Sequence, residues 1–233
     1  METEAGMTPY EWLTVASCLM SVYNLIKIEK QMEDPEVRAH PGVKDLEMRR
    51  RLSKIAASLA FVLLAVSAFG RDSFGTWMFV GLVAGAAGDV ALLGRGARAF
   101  MIGLGAFLVG HIAYVVGIAC VVPPSKWLGA AGFGAVLPVL VAGLALRKLW
   151  PRLGAFRIPV IVYIAAIVAM VVGAYAARTT LTHGTVLAIG ATLFFASDLA
   201  VARDRFIARD FTNKLYGLPA YYLGQLLIAY AIR

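Results

Sequence analysis

The sequence predicts an all-α fold, a polytopic membrane bundle of eight transmembrane helices, and three observations lead there. Of 233 residues, 60% are hydrophobic and only 15% charged, against about 25% charged in an ordinary soluble domain. The mean hydropathy is +0.76. The apolar residues gather into eight runs, at 12–26, 55–69, 76–93, 100–122, 127–146, 158–176, 184–201 and 218–232. That much apolar side chain excludes disorder and argues against a water-soluble globule, because few charges remain to solvate an exterior.

Taken in order, the first run follows Glu2, Glu4 and Glu11 with no Lys or Arg before it, and no small-residue cleavage site follows it. It is therefore expected to stay as helix one rather than be removed as a signal peptide. Residues 27–53 form the one long connection, with bases, acids, Pro35 and Pro41 mixed together. They read as a solvated cytoplasmic loop with a short interfacial helix over 43–52. Several runs fall short of the ~20 residues that cross ~30 Å of hydrocarbon, so flanking residues such as Tyr10, Ser53 and Tyr216 must complete the crossing. Gly81 and Gly85 in the third run have the G-x-x-x-G spacing of a close helix contact. Cys18 and Cys120 lie in apolar runs and read as small packing residues, not a disulfide framework or a thiolate metal site. A single transmembrane domain is expected over the whole chain.

Charge gives an orientation and a partner. The connections after helices one, three, five and seven carry 18 of the 22 Lys and Arg residues. By the positive-inside rule those loops face the cytoplasm of a bacterial-type inner membrane, and both termini face outward. The net charge of +8 is spread over short loops, which speaks for anionic lipid headgroups as partners and against nucleic acid.

Within the eight runs the only acids are Asp89 and Asp198, and the only histidine is His111. Ionisable groups at membrane depth cost roughly 2.5–3.5 kcal/mol on insertion scales and mark function by default. Measured from the ends of their apolar runs, both acids sit about one turn inside the cytoplasmic boundary, ~5 Å, and His111 sits ~16 Å down. Asn24, Lys54, Tyr221, Tyr222 and Gln225 fall in the same layer, so a polar pocket open to the cytoplasmic leaflet is expected. A carboxylate in the last turn of a helix meets the negative end of the dipole, so neither Asp is a cap. The structural alternatives are an ion pair of Asp89 with Arg95 or Arg98, one of Asp198 with Arg203 or Arg205, a packing hydrogen bond for His111, a snorkelling Lys54 and an aromatic belt at Tyr221 and Tyr222.

An intramembrane zinc hydrolase lacks ligands, since His40 and His183 fall in loops on opposite sides. No G-x-S-x-G elbow, P-loop or dinucleotide fingerprint occurs. A proton-coupled transporter or a non-catalytic lysolipid-binding protein would use the same intramembrane acids, but a transporter predicts polar residues through the whole thickness.

The order Gly88-Asp89 closing the third run, Gly110-His111-x-x-Tyr114, Ser197-Asp198-Leu199 closing the seventh, and Tyr222-Leu223-Gly224-Gln225 in the eighth resembles the YhhN-like lysoplasmalogenase family of membrane hydrolases. The resemblance runs from about Lys54 to Gln225. Lys54 matches the family's Lys-Pro pair, whereas Ile55 stands in place of the proline. The resemblance implies hydrolysis of the vinyl-ether bond of a lysoplasmalogen to a fatty aldehyde and glycerophosphoethanolamine or glycerophosphocholine. Such chemistry needs a proton donor beside a carboxylate and no metal or organic cofactor. On this reading Asp89 and Asp198 form the catalytic pair. Lys54, Asn24, His111, Tyr222 and Gln225 position the lysophospholipid and water.

Overall fold

The computed structural model describes residues 6–233. Among them the chain is helical with no strand, in ten α-helices: α1 Pro9–Gln31, α2 Pro35–Ala39, α3 Val43–Leu64, α4 Ser73–Ala91, α5 Gly96–Val121, α6 Trp127–Ala131, α7 Phe133–Leu149, α8 Arg157–Ala176, α9 Gly184–Phe206 and α10 Phe211–Ala231. Short polar side chains start several of them, as their sequences dictate. Thr8 and Glu11 form a capping box at α1, Asp72 accepts from the Gly75 amide at 2.6 Å, and Asp210 caps α10.

The eight apolar runs are all helical, with three corrections. The expected interfacial helix at 43–52 is the first part of α3, which continues unbroken into the second run. The fifth run is broken into α6 and α7 at Gly132, whose φ of +55° only glycine adopts without strain. Finally, among the described residues six spans are long and apolar enough to cross a membrane, against the eight expected. The two long helices outside that set are α1 and α10. For α10 the reason is packing: it lies among α9, α1, α3 and α4 and buries Asn213, Tyr221, Tyr222 and Gln225. A helix walled by protein is not required to be apolar all round.

The pairs α9–α10, α4–α5 and α1–α3 pack along their lengths, while α8 joins α5 to α9 and α3 joins α1 to α4. The α4–α5 approach is where the G-x-x-x-G spacing acts. A Cβ on Gly81 would lie 2.3 Å from the Tyr114 ring, and one on Gly85 would lie 2.5 Å from Gln225 Nε2. These glycines leave room for two polar side chains in the core as well as for a close helix contact. The core proper is Phe61, Met78, Leu82, Ile118, Ile167 and Phe194 with their neighbours. On the outside, Leu137, Leu140 and Leu144 of α7 are exposed, a lipid-facing stripe at helical spacing.

Candidate functional site

A cavity of about 520 Å³ opens at the end of the bundle where the basic connections converge. Its rim carries Arg50, Arg95, Arg205, Arg209 and Lys214, and Lys54, Asp89, Phe107 and Tyr221 line it further in. The rim is already partly neutralised. Glu29 of α1, 5% exposed, binds Arg50 of α3 and accepts from Lys214 Nζ of α10 at 2.5 Å. One buried carboxylate thus ties three helices at the mouth.

Asp89 stands in the last turn of α4, where the helix dipole opposes a negative charge. The opposition is met by Lys54, whose Nζ lies 3.1 Å from Asp89 Oδ1. Ser58 Oγ lies 2.7 Å from Asp89 Oδ2 and 3.0 Å from the Lys54 carbonyl. Its single proton goes to the carboxylate, the stronger acceptor. Lys54 and Ser58 are one turn apart on α3, so both present to α4 on one face. Tyr222 Oη donates to the Lys54 carbonyl at 3.5 Å, and Tyr221 lines the same cavity as Asp89. Deeper, Tyr114 Oη donates to Gln225 Oε1 at 2.8 Å, and Gln225 Nε2 donates to Tyr221 Oη at 3.4 Å. A buried amide and two phenols are thereby satisfied among themselves.

Asp198 belongs to a different cluster. Tyr163 Oη of α8 donates to its Oδ2 at 3.0 Å, and His111 Nε2 of α5 is 3.4 Å from the same oxygen. His111 Nδ1 is 2.7 Å from the Phe107 carbonyl, so that nitrogen carries a hydrogen and donates. Nε2 is fully buried with no hydrogen-bond partner of normal geometry. Asp198 does not line the cavity, whereas its neighbour Ser197 does. Between the clusters stands an aromatic wall: Phe107 against Tyr221 at 5.7 Å, Phe194 against Tyr221 at 5.3 Å, and His111 against Phe194 at 4.6 Å.

Of the residues singled out from sequence, Lys54 and Asp89 meet in the cavity, and Tyr222 and Gln225 lie buried behind it. Asp198 and His111 pair with each other on the far side of Phe107. Asp89 is two residues short of the end of α4 and Asp198 eight short of the end of α9. The charged stretch 202–206 is helical, so the edge of the apolar run was not the helix end. For the same reason Tyr222 and Gln225 lie about three and four turns into α10 and not at its start. Asn24 is exposed on the outer face of α1, and the adjacent Leu25 faces the cavity instead. Neither acid takes the expected arginine: Arg95 binds Glu47 and Arg203 binds Asp210 at 2.8 Å. Ser58, Tyr163 and the Glu29 latch were missed. Only Ser58 had a visible signal, its four-residue spacing from Lys54.

Comparison with known proteins points to one group. "Lysoplasmalogenase TMEM86A" of Bos taurus is 34% identical over 188 residues, covering 75% of this chain and 70% of that protein. "Lysoplasmalogenase" of Mycobacterium bovis is 36% identical over 184 residues, covering 74% of this chain and 66% of that protein. The human "Lysoplasmalogenase TMEM86A" is 32% identical over 185 residues, covering 75% and 70%. The chain thus matches about two thirds of the length of each relative. No solved structure matches it. The YhhN family profile matches residues 49–232, from ahead of Lys54 to the last turn of α10, which takes in Asp89, His111, Asp198 and Gln225, and the chain belongs to the YhhN family.

Proposed function

We propose that this chain is a membrane hydrolase that cleaves the vinyl-ether bond of a lysoplasmalogen in the cavity at the basic end of the bundle. The observation that carries the reading is the buried Asp89–Lys54 pair set in a cavity of about 520 Å³ with an apolar and aromatic interior. The names of the relatives supply the substrate class. The single chain of the lysolipid enters between apolar walls, and its glycerol and headgroup remain among the rim charges.

The reaction begins when the Asp89–Lys54 pair gives a proton to the β-carbon of the alkene. The ether oxygen then shares the positive charge as an oxocarbenium ion, which the Asp89 carboxylate stabilises. Water adds to the adjacent carbon and returns its proton to the pair, leaving a hemiacetal. Collapse of the hemiacetal releases the aldehyde and the glycerol hydroxyl, so one water is consumed and no proton is gained or lost. Ser58 orients the carboxylate by its hydrogen bond. Tyr221, which lines the same cavity, stands beside the reacting carbons. On this reading Asp198, held by His111 and Tyr163, supports the wall of the site and does not touch the substrate.

We further propose that the whole chain is one transmembrane domain. Its basic end, which holds the cavity mouth, faces the cytoplasm of a cell membrane.

The test is purified protein incubated with a lysoplasmalogen and, separately, with its saturated alkyl-ether analogue. Fatty aldehyde is expected from the first alone. Absence of aldehyde from the vinyl ether would overturn the reading in favour of a lipid carrier or binding protein.

A further inference from the structure

The cavity mouth carries two arginines whose charge is not used elsewhere. Of the basic residues lining the cavity, Lys54 is committed to Asp89, Arg50 and Lys214 to Glu29, and Arg95 to Glu47. Among the described residues no carboxylate pairs with Arg205 or Arg209. The one remaining acid of the lining, Asp204, accepts instead from Asn213 Nδ2 at 3.1 Å. Arg205 is nevertheless held in place. Its guanidinium lies 4.3 Å over the Phe100 ring, and Phe100 is itself braced edge-on by Phe156 and Phe206. Stacking occupies the face of a guanidinium and leaves its N–H edge free, the presentation that suits a phosphate or carboxylate.

We infer that Arg205 and Arg209 form the subsite for the phosphate of the substrate headgroup. This rests on the hydrolase reading above and adds the residues that select a phosphorylated lysolipid over a neutral ether glyceride. In such a lipid five bonds separate the vinyl-ether oxygen from phosphorus, and the headgroup phosphate carries one negative charge. Asp89, two residues inside the end of α4, lies ~3 Å below that helix end. A lipid with its ether oxygen at Asp89 therefore has its phosphate at the level of the arginines. Lys54 is excluded as the phosphate ligand because its ammonium is spent on a carboxylate within the cavity.

The experiment compares a 1-alkenyl glycerophospholipid with the corresponding 1-alkenylglycerol, which lacks the phosphate, on wild type and on the Arg205→Gln, Arg209→Gln double variant in detergent. Wild type is expected to prefer the phospholipid, and the double variant to lose at least about tenfold of that preference in kcat/KM, mainly through KM. An unchanged preference overturns the subsite even where aldehyde is produced. The second arm measures binding only, using the saturated 1-alkyl glycerophospholipid and 1-alkylglycerol. Loss of the phosphate-dependent preference in the variant supports the subsite even where no aldehyde forms, so the subsite and the hydrolase reading fail separately. Millimolar inorganic phosphate is the third arm. Displacement of the saturated lysolipid from wild type by phosphate alone would reassign the arginines to a free anion and overturn the headgroup assignment, whereas retention of the lipid supports it.

Discussion

Asp89 and Asp198 are the same residue type near the same end of one bundle, yet the protein has given them different surroundings. Asp89 takes a cation and a hydroxyl, Lys54 and Ser58, and its side chain is 4% exposed at the edge of a cavity. Asp198 takes a phenol and an imidazole, Tyr163 and His111, is 15% exposed, and does not line that cavity. A bundle can therefore keep a carboxylate either by setting a cation against it or by giving it a hydrogen bond from a buried phenol. Only the first arrangement lines the cavity, so matching motifs at two helix ends do not make matching sites.

The largest test of that contrast is Asp89→Asn. The amide keeps the volume and one acceptor oxygen but removes the carboxylate charge and its capacity to take up and give back a proton, so vinyl-ether turnover is expected to fall by at least about 10³-fold, the scale of general acid–base catalysis. The folded protein should persist by circular dichroism and size exclusion. Retention of a tenth of the activity would move the chemistry away from Asp89.

Lys54→Met follows, read by stability. Removing one member of a buried pair leaves the other charge uncompensated, which costs about 3–5 kcal/mol. A second change, Asp89→Leu in the Lys54→Met background, is expected to restore much of the lost melting temperature while activity stays absent. A double variant as unstable as the single one would show that Asp89 is not the partner that matters.

Asp198→Asn is expected to be milder in turnover, at most about 10²-fold, since the side chain sits behind Phe107 and acts through wall geometry. The loss should be shared by Tyr163→Phe, which removes the 3.0 Å bond to the same oxygen. If Asp198→Asn is instead as inactive as Asp89→Asn, the two carboxyl groups work as one pair, as their positions in the sequence first suggest.

Much of this contrast was legible in the sequence, and the rest had physical reasons for being hidden. A charge inside an apolar run is conspicuous, which is why Asp89, Asp198, His111 and Lys54 stand out. Their pairing is not, because it depends on which helices are neighbours. Helix phase was equally hidden. A helix that is apolar nearly all round has no moment to orient it, and Asn24 and Leu25 differ by only 100° of rotation, enough to exchange lipid for cavity. The end of α9 was hidden as well, because the helix runs through its charged stretch to Phe206. Aromatic residues such as Tyr163, scattered through a chain that is 11% aromatic, announce nothing until the fold brings one onto a carboxylate.

The smallest effect comes from a third carboxylate, Asp210, which lies outside the membrane-spanning helices and calibrates the other two. What little burial it has pushes its carboxyl up, but the Asn213 amide at 3.2 Å and the Arg203 guanidinium at 2.8 Å outweigh that and hold it below the usual carboxylate range. A carboxyl lowered in the folded state stabilises the protein above its unfolded pKa, and that contribution is lost as the pH falls through the lowered folded value. Asp210→Asn retains a cap acceptor for α10 while removing the charge from an exposed pair. The expected result at neutral pH is a fall in Tm of about 1 °C, with turnover within about twofold of wild type. Below the ordinary carboxylate range the two melting curves should converge, because wild type then carries the same neutral side chain. A gap that persists into acid would mean that the cap geometry, and not the charge, was lost. A large fall in turnover would mean that the α9–α10 connection reaches further into the site than Arg209 alone.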